Sequence, residues 1–243
     1  MFRTSATFLP LVLVLSGLLA SCAPLTTVYD LNFRAGPAGG SIDASTLLTR
    51  QVVPTDRLVS LTEAFARAPE GAVILTCWKD TDITNFWGPC SHITRKYAAG
   101  KVAETYNFKR PLAGIYPQQV EYGYYAVIVL DTGVTPDKLP ALWAAARKLD
   151  GKLYNLSNAP DTYYCSTYQN ALQRAVGLPD AVPYRPEISL SLPADALQVP
   201  GVKVLWVGLN QASPAAYRES KEQPSANQPA DRAQVIGTDN PAY

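Results

Sequence analysis

Histidine is almost absent from this chain of 243 residues: His92 is the only one. One imidazole cannot build the mixed Cys–His clusters of zinc modules, and no pair of cysteines stands at C-x-x-C spacing. No glycine-rich phosphate loop and no internal repeat occurs. Charge of one sign is also missing, with 21 Lys and Arg against 20 Asp and Glu. That balance gives no footprint for nucleic acid and no polybasic patch for a membrane. The apolar run from Phe8 to Ala20 is interrupted by Pro10, Ser16 and Gly17 and is too short to span a bilayer permanently. No metal, cofactor or nucleic-acid partner is therefore expected. Apolar residues are plentiful, at 47% with 14 Tyr, enough for the core of one monomeric domain with appendages.

Arg3 precedes the apolar run and small residues close it, the layout of a secretory signal. Leu19-Ala20-Ser21-Cys22 resembles a bacterial lipobox. The resemblance implies cleavage before Cys22 and its diacylation, with residues 1–21 a signal peptide and 22–56 a lipid-anchored tether. An ordinary signal peptide cut nearby is the alternative. Ala23 in place of Asp points, by analogy with lipoprotein sorting, to the outer membrane of a cell that has one, or otherwise to the outer face of the cell membrane.

With Cys22 lipidated, Cys77, Cys90 and Cys165 remain. In an oxidising envelope an odd count suggests one bridge and one free thiol. Bridging the neighbours Cys77 and Cys90 closes a short loop, worth about 3 kcal/mol by chain entropy, and leaves Cys165 free.

Segment 57–210 carries the periodic patterns. Leu58 to Ala68 reads as a short helix, and Gly71 to Thr76 as a buried strand. Residues 91–97 and 101–106 alternate around Ala98-Ala99-Gly100, a β-hairpin signal. Pairing about Ala98 sets His92 opposite Glu104, where a carboxylate can orient an imidazole. Arg110 to Gln119 reads as a loop, Gly123 to Leu130 as a central strand, and Thr135 onwards as a helix ended by Gly151. Asp161 to Leu172 is a polar loop turning into a helix, with Cys165 at the turn and Gly177 past its end. Glu187 to Leu197 reads as an extended segment and a turn, and Val202 to Gly208 as a last strand. Residues 211–243 are polar and Pro-rich, a disordered tail.

A cysteine at a helix start feels the dipole and unpaired N–H groups, which favour the thiolate. It also lies on the inward stripe with Tyr168. A small buried cysteine that happens to begin a helix is the plain alternative. Nucleophilic chemistry needs a base within reach and an orienting partner for the base. Cys77 and Cys90 rival Cys165 as nucleophiles on sequence alone, but neither begins a helix.

The order of these parts carries a resemblance. A strand at Ala72–Thr76, Ser91-His92-Ile93, then Val102-Ala103-Glu104, then Tyr164-Cys165-Ser166-Thr167 opening a helix is similar to the permuted NlpC-like papain-fold hydrolases of the YiiX-like branch. Leu192-Pro193-Ala194-Asp195 also looks like a segment common in them. The resemblance covers roughly Gly71 to Val207. It implies an α+β, papain-like fold in circularly permuted NlpC order, an antiparallel sheet or small barrel packed against helices. Cys165 then matches the nucleophile, His92 the base and Glu104 the third polar residue, with Tyr164 a possible oxyanion donor beside the Cys165 N–H. Trp87-Gly88-Pro89 before Cys90 departs from the polar approach common in that family. The function implied is a cell-envelope cysteine hydrolase cleaving an amide, foremost in peptidoglycan peptides, through an acyl-enzyme. The alternatives are a lipid-directed acyl hydrolase or acyltransferase of the same fold, and a non-catalytic envelope binding module. Trp78, Phe86, Trp87 and Tyr116 are candidates for a substrate groove or for core.

Overall fold

The computed structural model describes residues 31–78, 88–106, 110–118, 124–157 and 159–210. The expected signal, the Cys22 lipidation site, Phe86, Trp87 and the expected tail lie outside the described residues. Among the described residues ten strands run in chain order: β1 (Arg34–Gly36), β2 (Ile42–Asp43), β3 (Val52–Pro54), β4 (Leu58–Ser60), β5 (Val73–Cys77), β6 (Cys90–Ala98), β7 (Lys101–Tyr106), β8 (Arg110–Pro117), β9 (Ala126–Asp131) and β10 (Lys203–Leu209). Among the same residues four α-helices intervene: α1 (Thr46–Thr49), α2 (Leu61–Arg67), α3 (Leu139–Lys148) and α4 (Cys165–Ala175).

The fold is α+β. Its main sheet has the order β2-β10-β9-β5-β6-β7-β8, with β4 added beside β10. It is antiparallel except for the β4–β10 pair, and β1 and β3 form a separate parallel ribbon. β5 and β9 carry unbroken β-branched and apolar runs because both their faces are covered. Ile74, Val127 and Val129 face Leu61, Ala64 and Phe65 of α2. On the other side Val73, Leu75, Ile128 and Leu130 share a core with Cys165, Val182 and Leu197. Towards the far edge, Ala103 and Ala113 lie under Leu142, Tyr168 and Leu172 of α3 and α4. Each fully buried Leu in these layers stabilises by roughly 2 kcal/mol. Gly208 is needed where β10 meets α2: a Cβ there would stand 2.6 Å from the Ala64 Cβ.

Four expectations change. The tether expected over 22–56 is part of the fold from Leu31 on, since Leu31, Phe33, Leu47 and Val53 are buried in the main core. Its strands are only two or three residues long, too short to show a period. The helix expected from Leu58 starts at Leu61, because the Ser60 hydroxyl caps it by accepting the Glu63 N–H at 3.2 Å, and Leu58–Ser60 pairs with β10. The expected loop over 110–119 is instead strand β8. It lies at the sheet edge, where Pro111 and Pro117 are tolerated.

The fourth change concerns the hairpin. Arg95 pairs with Ala103 and Lys96 with Val102, followed by a bulge before Ala98–Lys101. The register is thus shifted by two residues from pairing about Ala98, and Thr94 rather than His92 comes opposite Glu104. An even shift keeps every side chain on its face. His92 and Glu104 therefore stay neighbours, as diagonal partners instead of direct ones.

Cys77 and Cys90 are bridged by a disulfide across β5 and β6, and among the described residues Cys165 is the free cysteine. Alkylation without reduction is expected to label Cys165 alone among these three, and reduction to cost about 3 kcal/mol in a urea titration. Labelling of all three before reduction would contradict the bridge.

Candidate active site

Three elements of the main sheet and its covering layer bring their polar residues to one point. Helix α4 begins abruptly because Tyr164 is extended (φ −108°, ψ 175°) and its N–H donates to Thr167 Oγ1 at 3.0 Å. Cys165 is the first helical residue, 7% exposed, next to first-turn N–H groups that have no acceptor within the helix. His92 sits on β6 beside the β-bulge between the Thr76–His92 and Cys77–Cys90 pairs. Bulges re-aim side chains, and this one lies at the base. Glu104 is supplied by β7.

The three form one hydrogen-bonded chain. His92 is 3% exposed and Glu104 5%. His92 Nε2 lies 2.9 Å from Glu104 Oε2, which as a carboxylate accepts the ring N–H. The other ring nitrogen is left for the Cys165 thiol, with which His92 is also hydrogen-bonded. The Tyr106 ring covers the imidazole at 4.2 Å between centroids. Burial works against a charge on His92, but the hydrogen bonds to Cys165 and to Glu104 outweigh it and raise the imidazole to about 9. Burial likewise opposes a charged Glu104, yet its hydrogen bond to His92, the imidazolium charge and Arg110 hold the carboxyl below its usual range.

Arg110 completes the chain. Its guanidinium donates to Glu104 Oε1 and to the Pro117 carbonyl at 3.0 Å, while lying 4.8 Å over the Tyr116 ring. Arg110 pairs with Tyr106 in the β7–β8 ladder, so the segment first read as a loop is what delivers it. No sequence signal singled it out.

Behind the helix, Arg95 of β6 is fully buried. It donates to Gln169 Oε1 at 3.1 Å, Gln173 Oε1 at 2.8 Å and the Gly71 carbonyl at 2.8 Å. Gln169 and Gln173 lie one and two turns beyond Cys165. The strand carrying His92 and the helix carrying Cys165 are thus tied together by one guanidinium.

Over Cys165 opens a cleft of about 400 Å³, walled by Tyr154, Leu156, Tyr164 and the stretch from Leu190 to Pro193. The Tyr164 hydroxyl accepts from the Ser191 N–H at 2.7 Å, which fixes this proposed oxyanion donor to that wall. Tyr154 escaped the sequence reading. Its ionisation is disfavoured first by burial and then by Cys165 and Tyr164 nearby. Asp195 of the Leu192–Asp195 segment forms a bidentate pair with Arg185 (2.6 and 2.5 Å), bracing the wall from behind. Trp78 packs against Tyr124 and Tyr116 under Arg110, so neither lines the cleft. Cys77 and Cys90, spent in their bridge, are no longer rival nucleophiles.

No family model matches this chain, and neither does any curated protein or solved structure.

The single imidazole makes the pair easy to test. An NMR titration of His92 is expected to show a midpoint near 9, falling in Glu104→Gln. The raised value has a sign for stability: the contribution is full below about pH 6.5 and is lost as pH rises through 9. A midpoint at 6.5 in the wild-type chain would dismiss the charged pair.

Proposed function

We propose that this protein is a cysteine hydrolase of the cell envelope that works through an acyl-enzyme on Cys165. The observation that carries this reading is the unbroken chain Cys165–His92–Glu104–Arg110, assembled from separate elements and opening on a cleft. Hydrogen-bonded nucleophile, base and orienting carboxylate are what nucleophilic catalysis requires.

In the first step the Cys165 thiolate attacks a carbonyl carbon, and the C–S bond forms. The imidazolium of His92 gives its proton to the leaving amine or alcohol as that bond breaks. Water then adds to the thioester with His92 taking its proton, and the acid departs as the thiol is restored. Glu104, held by Arg110, keeps the ring aligned. The Cys165 N–H at the helix start and the Tyr164 hydroxyl stabilise the oxyanion. His strand before Cys helix, on an α+β scaffold, supports the permuted papain-like reading. The acyl donor is an amide of a peptidoglycan peptide or the acyl group of a lipid, and a lipid on Cys22 would hold the enzyme at a membrane surface.

The test is to incubate the full chain with muropeptides and, separately, with phosphatidylcholine vesicles, following both products and the mass of Cys165. A product with a transient acyl adduct on Cys165 is expected from one of them. A thiol that takes up no acyl group and alkylates at an ordinary rate would instead favour a binding module.

A further inference from the structure

The walls of the Cys165 cleft specify its cargo. None of the described residues lining it is charged: beside Ser91 and Ser191 its surface is Leu156, Leu190, Leu192 and Pro193, with Tyr154 and Tyr164 as the large aromatic members. Arg185, bridged to Leu190 along this wall, has its guanidinium taken up by the bidentate pair with Asp195. A carboxylate lying along these described walls, away from His92, would lose its water and find no cation there, a cost of several kcal/mol. Wall peptides, rich in carboxylates, are poorly matched to it. Exposed leucines also occur on the segment that supplies Tyr154 and Leu156. Leu156 is 52% exposed and Leu153, on the same segment, 53% exposed. Leu153 is bridged to Leu112 of the edge strand β8, itself 42% exposed.

Chain length bears on the same question. The first packed residue among the described ones is Leu31, nine positions after Cys22, so the intervening chain spans at most about 30 Å. A tether running from Cys22 to residue 56 would have reached more than about 100 Å. A lipid on Cys22 therefore keeps the cleft close to the bilayer.

We propose that the acyl group taken by Cys165 is an uncharged aliphatic chain of a membrane lipid, gripped by Leu156, Leu190 and Leu192 and drawn in past the ridge of Leu112 and Leu153. This substrate class rests on the acyl-enzyme reading above, but its binding half does not. The apolar chain fills the cleft with its carbonyl at the thiol, and the leaving group stays at the mouth.

The two halves are separated by experiment. In the full chain carrying Cys165→Ala, a dansyl-labelled decanamide is titrated by fluorescence. Saturable binding is expected, weakened about tenfold or more by the added change Leu156→Asp, whose exposed position tolerates the fold. In the unmodified chain, acylation of Cys165 is followed by mass with p-nitrophenyl acetate and p-nitrophenyl decanoate, and with phosphatidylcholine vesicles. Decanoate is expected to acylate at least tenfold faster than acetate, with Leu156→Asp collapsing that ratio, and the vesicles to leave a fatty-acyl mass on Cys165. Decanamide binding without any acylation would sustain the apolar cleft and defeat the enzyme reading. Acylation by acetate as fast as by decanoate, with no decanamide binding, would overturn the lipid proposal and leave the thiol hydrolase standing.

Discussion

Cys165→Ala is expected to lose acyl transfer by at least about a thousandfold and to lose all labelling by iodoacetamide at pH 6, while keeping its unfolding midpoint. The size follows from the chemistry: without sulfur no acyl-enzyme forms, and what remains is binding and oxyanion stabilisation. At pH 6 an ordinary thiol is nearly all protonated and reacts slowly. Iodoacetamide labelling there thus reports whether His92 assists the Cys165 sulfur. His92→Gln should therefore slow labelling of the intact Cys165 at pH 6 while leaving the protein folded. Equal labelling of wild type and Cys165→Ala would remove the nucleophile from this site altogether.

Arg95→Met is expected to cost about 3–5 kcal/mol, seen as a lower urea midpoint with an unchanged slope. Removing a buried cation relieves its desolvation, and methionine fills most of the space. Against that, the Gln169 Oε1 and the Gly71 carbonyl lose the Arg95 donor at about 1–3 kcal/mol each, and Gln173 Oε1 is left with only a 3.4 Å bond from the Thr132 hydroxyl. The two glutamines cannot turn their amides round to compensate. Gln169 Nε2 already donates to the Ala103 carbonyl and Gln173 Nε2 to that of Thr132. The loss therefore outweighs the gain. Because the same bonds tie α4 to β6, Cys165 labelling at pH 6 should also slow in the folded variant. A cost under 1 kcal/mol would mean that the packing of Tyr168 and Leu172 holds the helix by itself.

Much of this molecule is written locally. The β-branched runs of β5 and β9, the helix start at Cys165 and the Gly177 stop are properties of neighbouring residues, so a single sequence shows them. The even spacing of His92 and Glu104 on a hairpin also survives a register change of two. What escaped reading depends on distant partners. Val52–Pro54 and Arg34–Gly36 pair only with each other, in stretches too short for a period. β8 was masked by its prolines, which an edge strand accepts and an inner one does not. Arg110 and Arg95 carry no local signal; the fold half-buries the first and fully buries the second.

The sequence by itself determined that Cys165 starts a helix, that His92 and Glu104 share a hairpin face, and that Cys77 and Cys90 can bridge, because helix starts, strand alternation and cysteine number are short-range facts. Only the tertiary structure decided that Arg110 steadies Glu104 and that Arg95 clamps the thiol helix to the base strand. It alone brought the leucines and tyrosines of the cleft together over Cys165. Those features join residues up to 78 positions apart. Their energies exist only once the chain has closed around them and water has been excluded.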